Sequence, residues 1–280
     1  CLSIARCGWD MAGHSKWANI KRQKARVDAV KGKVFTKISR EIIVAARSGV
    51  PDPAGNFQLR TAIEKAKAAG IPNDNIERAI AKGAGKLGAG NAALEAIRYE
   101  GYGPGGVAVL IEALTDNRNR TAADLRAAFS KNGGNLGETG CVGWMFDQKG
   151  VVEVTLTSPK ASRGKRSEVN NEVNEEDLLE AFLEGGAETY ELLETEDGTL
   201  AEALTDPTNL ELLSQTLKDK GYNVTQVELR WIPNNTLEVS EPEQARSVLK
   251  LMDALDDLDD VQSATANFEM TDELMSLSVV

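Results

Sequence analysis

Histidine and cysteine are scarce in this 280-residue sequence, which contains one histidine and three cysteines. A structural zinc site needs four nitrogen or sulfur ligands close together, and no Cys-x-x-Cys pair is present to start one. The lone His14 gives no basis for a Ser-His-Asp triad. Cysteines at positions 1, 7 and 141 cannot form a disulfide framework, so we expect reduced thiols and a cytoplasmic location. We therefore predict no metal, no cofactor, no catalytic residue and no enzymatic activity.

Long apolar runs are also missing. The longest apolar-rich stretch, residues 107–114, is interrupted by Glu112 and falls far short of the roughly 18 residues of a membrane helix. Aromatic residues make up 5% of the chain, against 41% hydrophobic and 27% charged, which is typical of a soluble globular protein. The length predicts about two domains.

The two parts of the chain carry opposite charge. Residues 1–90 contain 17 Lys and Arg against 7 Asp and Glu, whereas residues 91–280 contain 15 against 36. The net charge of −11 therefore hides a basic segment beside a strongly acidic one. Such asymmetry indicates a nucleic-acid-facing part joined to an acidic body, although two solvated faces would give the same balance.

The basic segment has the spacing of helices. Apolar residues such as Phe35, Ile38 and Ile42 recur at helical intervals and predict a helix over residues 28–48. Two more helices are expected, over about 56–69 and from a cap at Asn73 or Asp74 to about residue 82. On the first helix, cations fall in line opposite the apolar side. They are Lys33, Lys37, Arg40 and Arg47.

A basic arm precedes this bundle, over residues 13–26, and contains Trp17. Its cations suit phosphate contacts, and Trp17 either stacks on a base or anchors the arm. The predicted nucleic-acid-binding residues are Lys16, Trp17, Lys21, Arg22, Lys24, Arg26, Lys31, Lys33, Lys37, Arg40 and Arg47. Arg118 and Arg120, expected on a loop, form a weaker candidate site, because they could equally pair with nearby acids.

The acidic body alternates strands and helices after a glycine-rich stretch, residues 83–90, that we expect to act as a hinge. Residues 147–232 follow the order β-α-β-β-α-β, which is typical of a ferredoxin-like domain. We predict that this domain is inserted into a second α/β domain made of 92–146 and 233–280, with Val142–Phe146 as a short strand. Residues 158–174 are expected to be a surface loop, and residues 1–10 an extension ahead of a start at Met11. The fold class is α+β: a helical bundle, residues 11–84, plus two ferredoxin-like α/β domains.

Several local patterns are interpreted conservatively. The Gly-x-Gly-x-x-Gly matches that begin at Gly83 and Gly101 lack the strand before and the helix after that a dinucleotide site requires. An acidic cluster lies at the end of the last long predicted helix, and we expect it to be a solvated helix terminus. It consists of Asp256, Asp257, Asp259 and Asp260.

One set of motifs resembles a known family. The opening Met11-Ala-Gly-His-Ser-Lys-Trp-Ala-Asn-Ile-Lys21 is very similar to that of the YebC/PmpR family. Further matching segments are Gly32–Lys37, Asp74–Ile80, Tyr99–Gly106, Leu114–Thr121 and Phe129–Leu136. The resemblance covers essentially the whole chain from Met11.

The resemblance implies three domains, one inserted in another, and a non-enzymatic regulator of gene expression. It implies DNA binding and transcription regulation, as described for bacterial members. It equally implies RNA binding at the ribosome, as for relatives such as the mitochondrial translational activator of cytochrome c oxidase subunit I, some of which relieve stalling. Nucleic acid, DNA or ribosomal RNA, is thus the expected partner, with no membrane and no small-molecule substrate. The sequence leaves the choice open, although contacts to the backbone alone suffice on a ribosome.

Overall fold

The computed structural model describes residues 31–86, 94–156, 175–195 and 198–275. It confirms the α+β class. The chain divides into two compact units, which we call the inserted unit, Gln148–Ile232, and the main unit, formed by the described residues on either side of it. The predicted arm, the extension, most of the glycine-rich stretch and the loop 158–174 lie outside the described residues.

Helices and strands alternate along most of the chain. The first half contains α1 (Lys31–Ser48), α2 (Phe57–Ala68), α3 (Asn73–Gly83), β1 (Glu95–Tyr102), β2 (Ala108–Thr115), α4 (Arg118–Lys131), β3 (Asn135–Leu136) and β4 (Phe146–Thr155). The second half contains α5 (Glu175–Glu184), β5 (Ala187–Thr195), β6 (Gly198–Thr205), α6 (Leu210–Asp219), β7 (Asn223–Pro233), β8 (Leu237–Glu238), α7 (Pro242–Asp256), β9 (Val261–Ala266), β10 (Phe268–Glu269) and α8 (Asp272–Met275).

Helices α1 to α3 form the expected bundle around a small aliphatic core. Asn56 caps α2 by accepting the Leu59 N–H at 3.0 Å. Helix α3 begins after Pro72 without a side-chain cap, so the predicted cap at Asn73 or Asp74 is wrong. Gly83 packs against α1, where a Cβ atom would lie 2.5 Å from the Ile43 carbonyl oxygen. Gly83 therefore allows close packing of α3 on α1, whereas the sequence analysis expected it to be the first residue of a hinge. The buried core residues include Ile38, Ile42, Ala46, Leu59, Ala66 and Ile76.

The main unit contains a four-stranded sheet in the order β3-β1-β2-β9. Strands β1 and β2 are antiparallel, with Glu95 opposite Thr115 and Tyr102 opposite Ala108. The inward residues of β2 and β9 pack with α4 and α7 in one core, which includes Val109, Ile111, Leu125, Phe129, Leu249 and Met252. This sheet starts with a hairpin, an order that differs from the ferredoxin-like pattern.

The inserted unit follows β4-α5-β5-β6-α6-β7 and has the strand order β5-β6-β4-β7. This is the split β-α-β arrangement expected from the sequence. The consecutive β4 residues from Gly150 to Val154 are all buried, and so is Phe182 of α5. The predicted strand Val142–Phe146 is wrong, since residues Gly143–Met145 form a 3-10 turn and Phe146 begins β4.

Candidate nucleic-acid interface

The basic face of α1, formed by Lys33, Lys37, Arg40 and Arg47, meets the end of α7. We call the residues Asp256, Asp257, Asp259 and Asp260 the acidic turn. Lys33 Nζ lies 3.0 Å from Asp257 Oδ1, and Lys37 Nζ donates to the Asp256 carbonyl oxygen at 2.9 Å. One turn further along α1, Arg40 donates to Asp260 Oδ1 and to the Asp259 carbonyl oxygen, both at 2.6 Å. Three of the four cations of the basic face are therefore bound by the chain's own carboxylate and carbonyl oxygens.

These contacts correct the interpretation of the acidic cluster as a solvated helix terminus. The side chain of Asp260 is 8% exposed and that of Asp256 27%, whereas that of Asp257 is mainly in solvent. Helix α7 has no basic residue in its last turn, although the negative end of a helix dipole favours cations there. Helix α1 supplies those cations from another part of the chain.

Asp260 is the centre of the contact. Its carboxylate accepts hydrogen bonds from Arg40, from Arg120 at 2.8 Å and from the Thr121 hydroxyl at 2.7 Å. The Thr115 hydroxyl adds a longer bond of 3.2 Å. Burial alone would raise the pKa of Asp260, but the hydrogen bonds from Arg120, Thr121 and Arg40 outweigh burial and hold this pKa below its ordinary value.

The weaker candidate site, Arg118 and Arg120, lies in the first turn of α4, whereas the sequence placed it on a loop. Cations are unfavourable at the positive end of a helix dipole, and both arginines have carboxylate partners. Arg118 pairs with Glu95 at 2.6 Å, and Arg120 pairs with Asp116 at 2.9 Å in addition to Asp260. Of the two expectations for these residues, the structure shows pairing with nearby acids.

Beyond the acidic turn, the basic face continues to Arg47, which is exposed in the last turn of α1. It lies about 10 Å along the helix from Arg40. The remaining predicted contacts Lys16, Trp17, Lys21, Arg22, Lys24 and Arg26 lie outside the described residues, as does the side chain of Lys31.

A pocket of about 390 Å³ opens beside the basic face. Two cations and two hydroxyl groups in its wall suit an oxyanion such as a backbone phosphate, while Asp116 opposes one. Its lining residues are Phe35, Thr36, Ser39, Arg40, Ile43, Lys82, Leu94 and Asp116. Lys82 was missed by the sequence reasoning, because its position on α3 next to α1 depends on the bundle packing.

A second feature missed from the sequence is an exposed tryptophan on a fixed loop. Trp144 is 68% exposed. The buried carboxylate of Glu100 accepts three hydrogen bonds of 2.7–2.9 Å, from the backbone N–H groups of Gly140, Val142 and Gly143. Burial opposes ionisation of Glu100, but these bonds outweigh it and lower its pKa. The sequence signal for this loop is its glycines, because Gly140 and Gly143 both donate their backbone N–H groups to the Glu100 carboxylate.

Within the described ranges, no group of three or more His, Cys, Asp or Glu side chains is arranged to hold a metal ion. No helix in the same ranges combines the length and the apolar character needed to cross a bilayer.

Two family descriptions match the chain almost end to end. Residues 15–86 match "TACO1/YebC protein N-terminal domain", and residues 94–268 match "TACO1/YebC second and third domain". The chain belongs to the TACO1/YebC family. Helices α1 to α3 lie in the segment that matches the TACO1/YebC N-terminal domain, and the acidic turn lies in the segment that matches the second and third domains.

Relatives within the TACO1/YebC family are closely similar to this chain. The "Probable transcriptional regulatory protein all4276" of Nostoc sp. is 71% identical over 268 residues, which cover 96% of this chain and 99% of that protein. A "Probable transcriptional regulatory protein" of Gloeothece citriformis is 70% identical over 96% of this chain and all of its own length. The crystal structure of the conserved hypothetical protein Aq1575 from Aquifex aeolicus is 45% identical, with a TM-score of 0.78, and covers 92% of this chain and 98% of that one.

Proposed function

We propose that this protein is a non-enzymatic, cytoplasmic regulator of transcription that binds DNA through its N-terminal bundle. The observation that carries the proposal is the basic face of α1, a line of four cations on one helix within the basic part of the chain. The names of its relatives, which are probable transcriptional regulatory proteins, support the regulatory role.

The pairing of the basic face with the acidic turn is compatible with this role. The Lys33–Asp257 pair is largely exposed, with 49% and 71% of the two side chains in solvent. Exposed pairs of this kind contribute about 0–1 kcal/mol, so a phosphate can replace Asp257 at Lys33 at low cost. Arg47 and Lys82 are not held by the acidic turn and can make the first phosphate contacts.

The proposed contacts neutralise phosphates and do not read bases. The cations of the basic face are spaced along a single helix, which suits contacts along a phosphate backbone, and such contacts carry no sequence information directly. Binding should therefore depend little on sequence and strongly on salt, because each neutralised phosphate releases counterions.

The test uses the full-length protein, a labelled 30-base-pair duplex and fluorescence anisotropy at several salt concentrations. Replacing Arg47 and Lys82 by Ala should weaken binding on every sequence and reduce the slope of log K against log salt by about 1 per lost contact. The matched control replaces Arg246 and Lys250, two exposed cations of α7, and should change neither quantity. Equal effects of the two double variants would refute a site on the bundle.

The alternative ligand is ribosomal RNA, which a protein that contacts only backbone can also bind. This function would make the protein a ribosome-associated translation factor. Ultraviolet crosslinking in growing cells, followed by sequencing of co-purified DNA and RNA, separates the two. Crosslinks concentrated at promoters support transcription regulation, and crosslinks concentrated on ribosomal RNA replace it with a role in translation.

A further inference from the structure

The acidic turn occupies the surface that the proposed function assigns to nucleic acid. Successive cations of α1, at Lys33, Lys37 and Arg40, each have an oxygen of the acidic turn within hydrogen-bond distance. We propose that the acidic turn is an internal competitor for phosphate, which holds the bundle closed until nucleic acid displaces it. This inference rests on the proposed function and adds its regulation.

The geometry of the contact resembles that of a phosphate row. Lys33, Lys37 and Arg40 recur at intervals of four and three residues, so their side chains lie on one side of α1 about one turn apart. The acidic turn presents its oxygens along the same line, in order from Asp257 and Asp256 to Asp260. A cation cannot serve a carboxylate and a phosphate with the same donor hydrogens, so occupation by one excludes the other.

The contact is graded from an easily exchanged end to a tightly held end. The Lys33–Asp257 pair is exposed, whereas the Arg40 and Asp260 side chains are 20% and 8% exposed. Arg47, beyond the tightly held end, is exposed and offers approaching phosphates a first contact. Complete displacement then requires that Arg40 leave Asp260, which retains Arg120 and Thr121 as partners.

The closed state is favoured because the last turn of α7 supplies no positive charge of its own. That turn lacks a basic residue, and two carboxylates, Asp256 and Asp257, stand at the negative end of the helix dipole. Departure of α1 takes Lys33 and Lys37 away from these charges. Closure then lowers the apparent affinity for nucleic acid, because the intrinsic association constant is multiplied by the fraction of molecules that are open.

The first experiment neutralises the exposed part of the competitor. Asp256→Asn with Asp257→Asn keeps the side-chain size and the Asp256 carbonyl that Lys37 contacts. We expect affinity for a 30-base-pair duplex to rise roughly fivefold at constant salt, from the loss of two weak competing pairs. The matched control, Glu241→Gln with Glu243→Gln, removes the same charge at the opposite end of α7, where both side chains are exposed.

The two variants separate competition from net charge. A rise confined to the Asp256/Asp257 variant supports the proposal. An equal rise in both variants, or no rise in either, overturns it. If none of the three proteins binds DNA or ribosomal RNA, the proposed function itself fails and the competition fails with it.

A second measurement reads the closed contact directly. A carbodiimide links a lysine to a carboxylate only when the two are in contact, and the 3.0 Å Lys33–Asp257 pair meets that condition. Mass spectrometry of the wild-type protein should find this crosslink without nucleic acid and show it decrease by at least about fivefold at saturating duplex, in line with exclusion of one partner by the other. An unchanged yield at saturation, with binding verified in the same sample, overturns the competition and leaves the proposed function intact.

Discussion

Arg230 in the inserted unit and Asp260 in the main unit are centres of two ionic networks with opposite composition. The Arg230 guanidinium, 13% exposed, faces Glu202 and Glu228 at 2.8 Å and Glu153 at 3.4 Å. Asp260 reverses the arrangement, with one carboxylate between the guanidinium groups of Arg40 and Arg120. The first network places one cation among three anions, and the second places one anion between two cations.

The origins of the partners differ as well. Glu153 and Glu202 stand directly opposite each other on β4 and β6, so the sheet itself brings like charges together and Arg230 on β7 stabilises them. Burial lowers the pKa of Arg230, but the carboxylates of Glu228, Glu202 and Glu153 together outweigh burial and raise this pKa, so the guanidinium stays charged. The Asp260 network instead joins the helical bundle to the sheet of the main unit. Its partners can separate without breaking a strand ladder, which makes the second network suitable for a switch and the first for structure.

The largest expected effect is the loss of Arg230. Replacement by Met leaves buried carboxylates facing each other, and we expect the free energy of unfolding of the inserted unit to fall by about 3–5 kcal/mol. Urea denaturation followed by circular dichroism measures this change. Adding Glu202→Gln to the variant should recover part of the loss, because it removes one of the repelling charges. A loss below about 1 kcal/mol would mean that the glutamates escape to solvent and that the network is not structural.

The second effect is the loss of the Asp260 charge, and it should be smaller. Asp260→Asn weakens the bonds from Arg40, Arg120 and Thr121, but both arginines can still reach water, so we expect about 2 kcal/mol in the unfolding of the main unit. The matched control is Asp259→Asn, since Arg40 contacts the backbone carbonyl of that residue, which the substitution keeps. Similar losses in the two variants would show that general charge, and not the network, is responsible.

The same network predicts a pH dependence. Because the folded-state pKa of Asp260 lies below its ordinary value of 3.8, its contribution to stability is complete above that value and is lost as the pH falls through the lower, folded-state pKa. The stability difference between the wild-type protein and Asp260→Asn should therefore be constant near neutral pH and shrink below pH 3.8. A difference that shrinks already between about pH 5 and 7 would contradict a lowered pKa.

Sequence patterns predicted the elements of both networks but not their partners. The helical spacing of Phe35, Ile38 and Ile42 was enough to locate α1 and its basic side, because periodicity is a local property. The contact between Lys33 and Asp257 spans 224 residues and depends on how α7 ends against the sheet. The sequence analysis placed Arg118 and Arg120 on a loop, although Asn117 could have predicted the start of α4. Asn is a favoured N-cap residue, and the Asn117 side chain accepts hydrogen bonds from the N–H groups of Asn119 and Arg120.

The smallest expected effect concerns the exposed Lys33–Asp257 pair, and it connects stability with binding. A double-mutant cycle with Lys33→Ala and Asp257→Asn should give a coupling of no more than about 0.5 kcal/mol in unfolding, which disappears near 1 M salt as the screening length falls to about 3 Å. This weakness is what a competitor requires, because a carboxylate that held Lys33 firmly could not yield to phosphate. A coupling above about 2 kcal/mol that persists at 1 M salt would make the Lys33–Asp257 contact a permanent part of the fold, like the Arg230 network. Nucleic acid would then bind the bundle through Arg47 and Lys82, without Lys33.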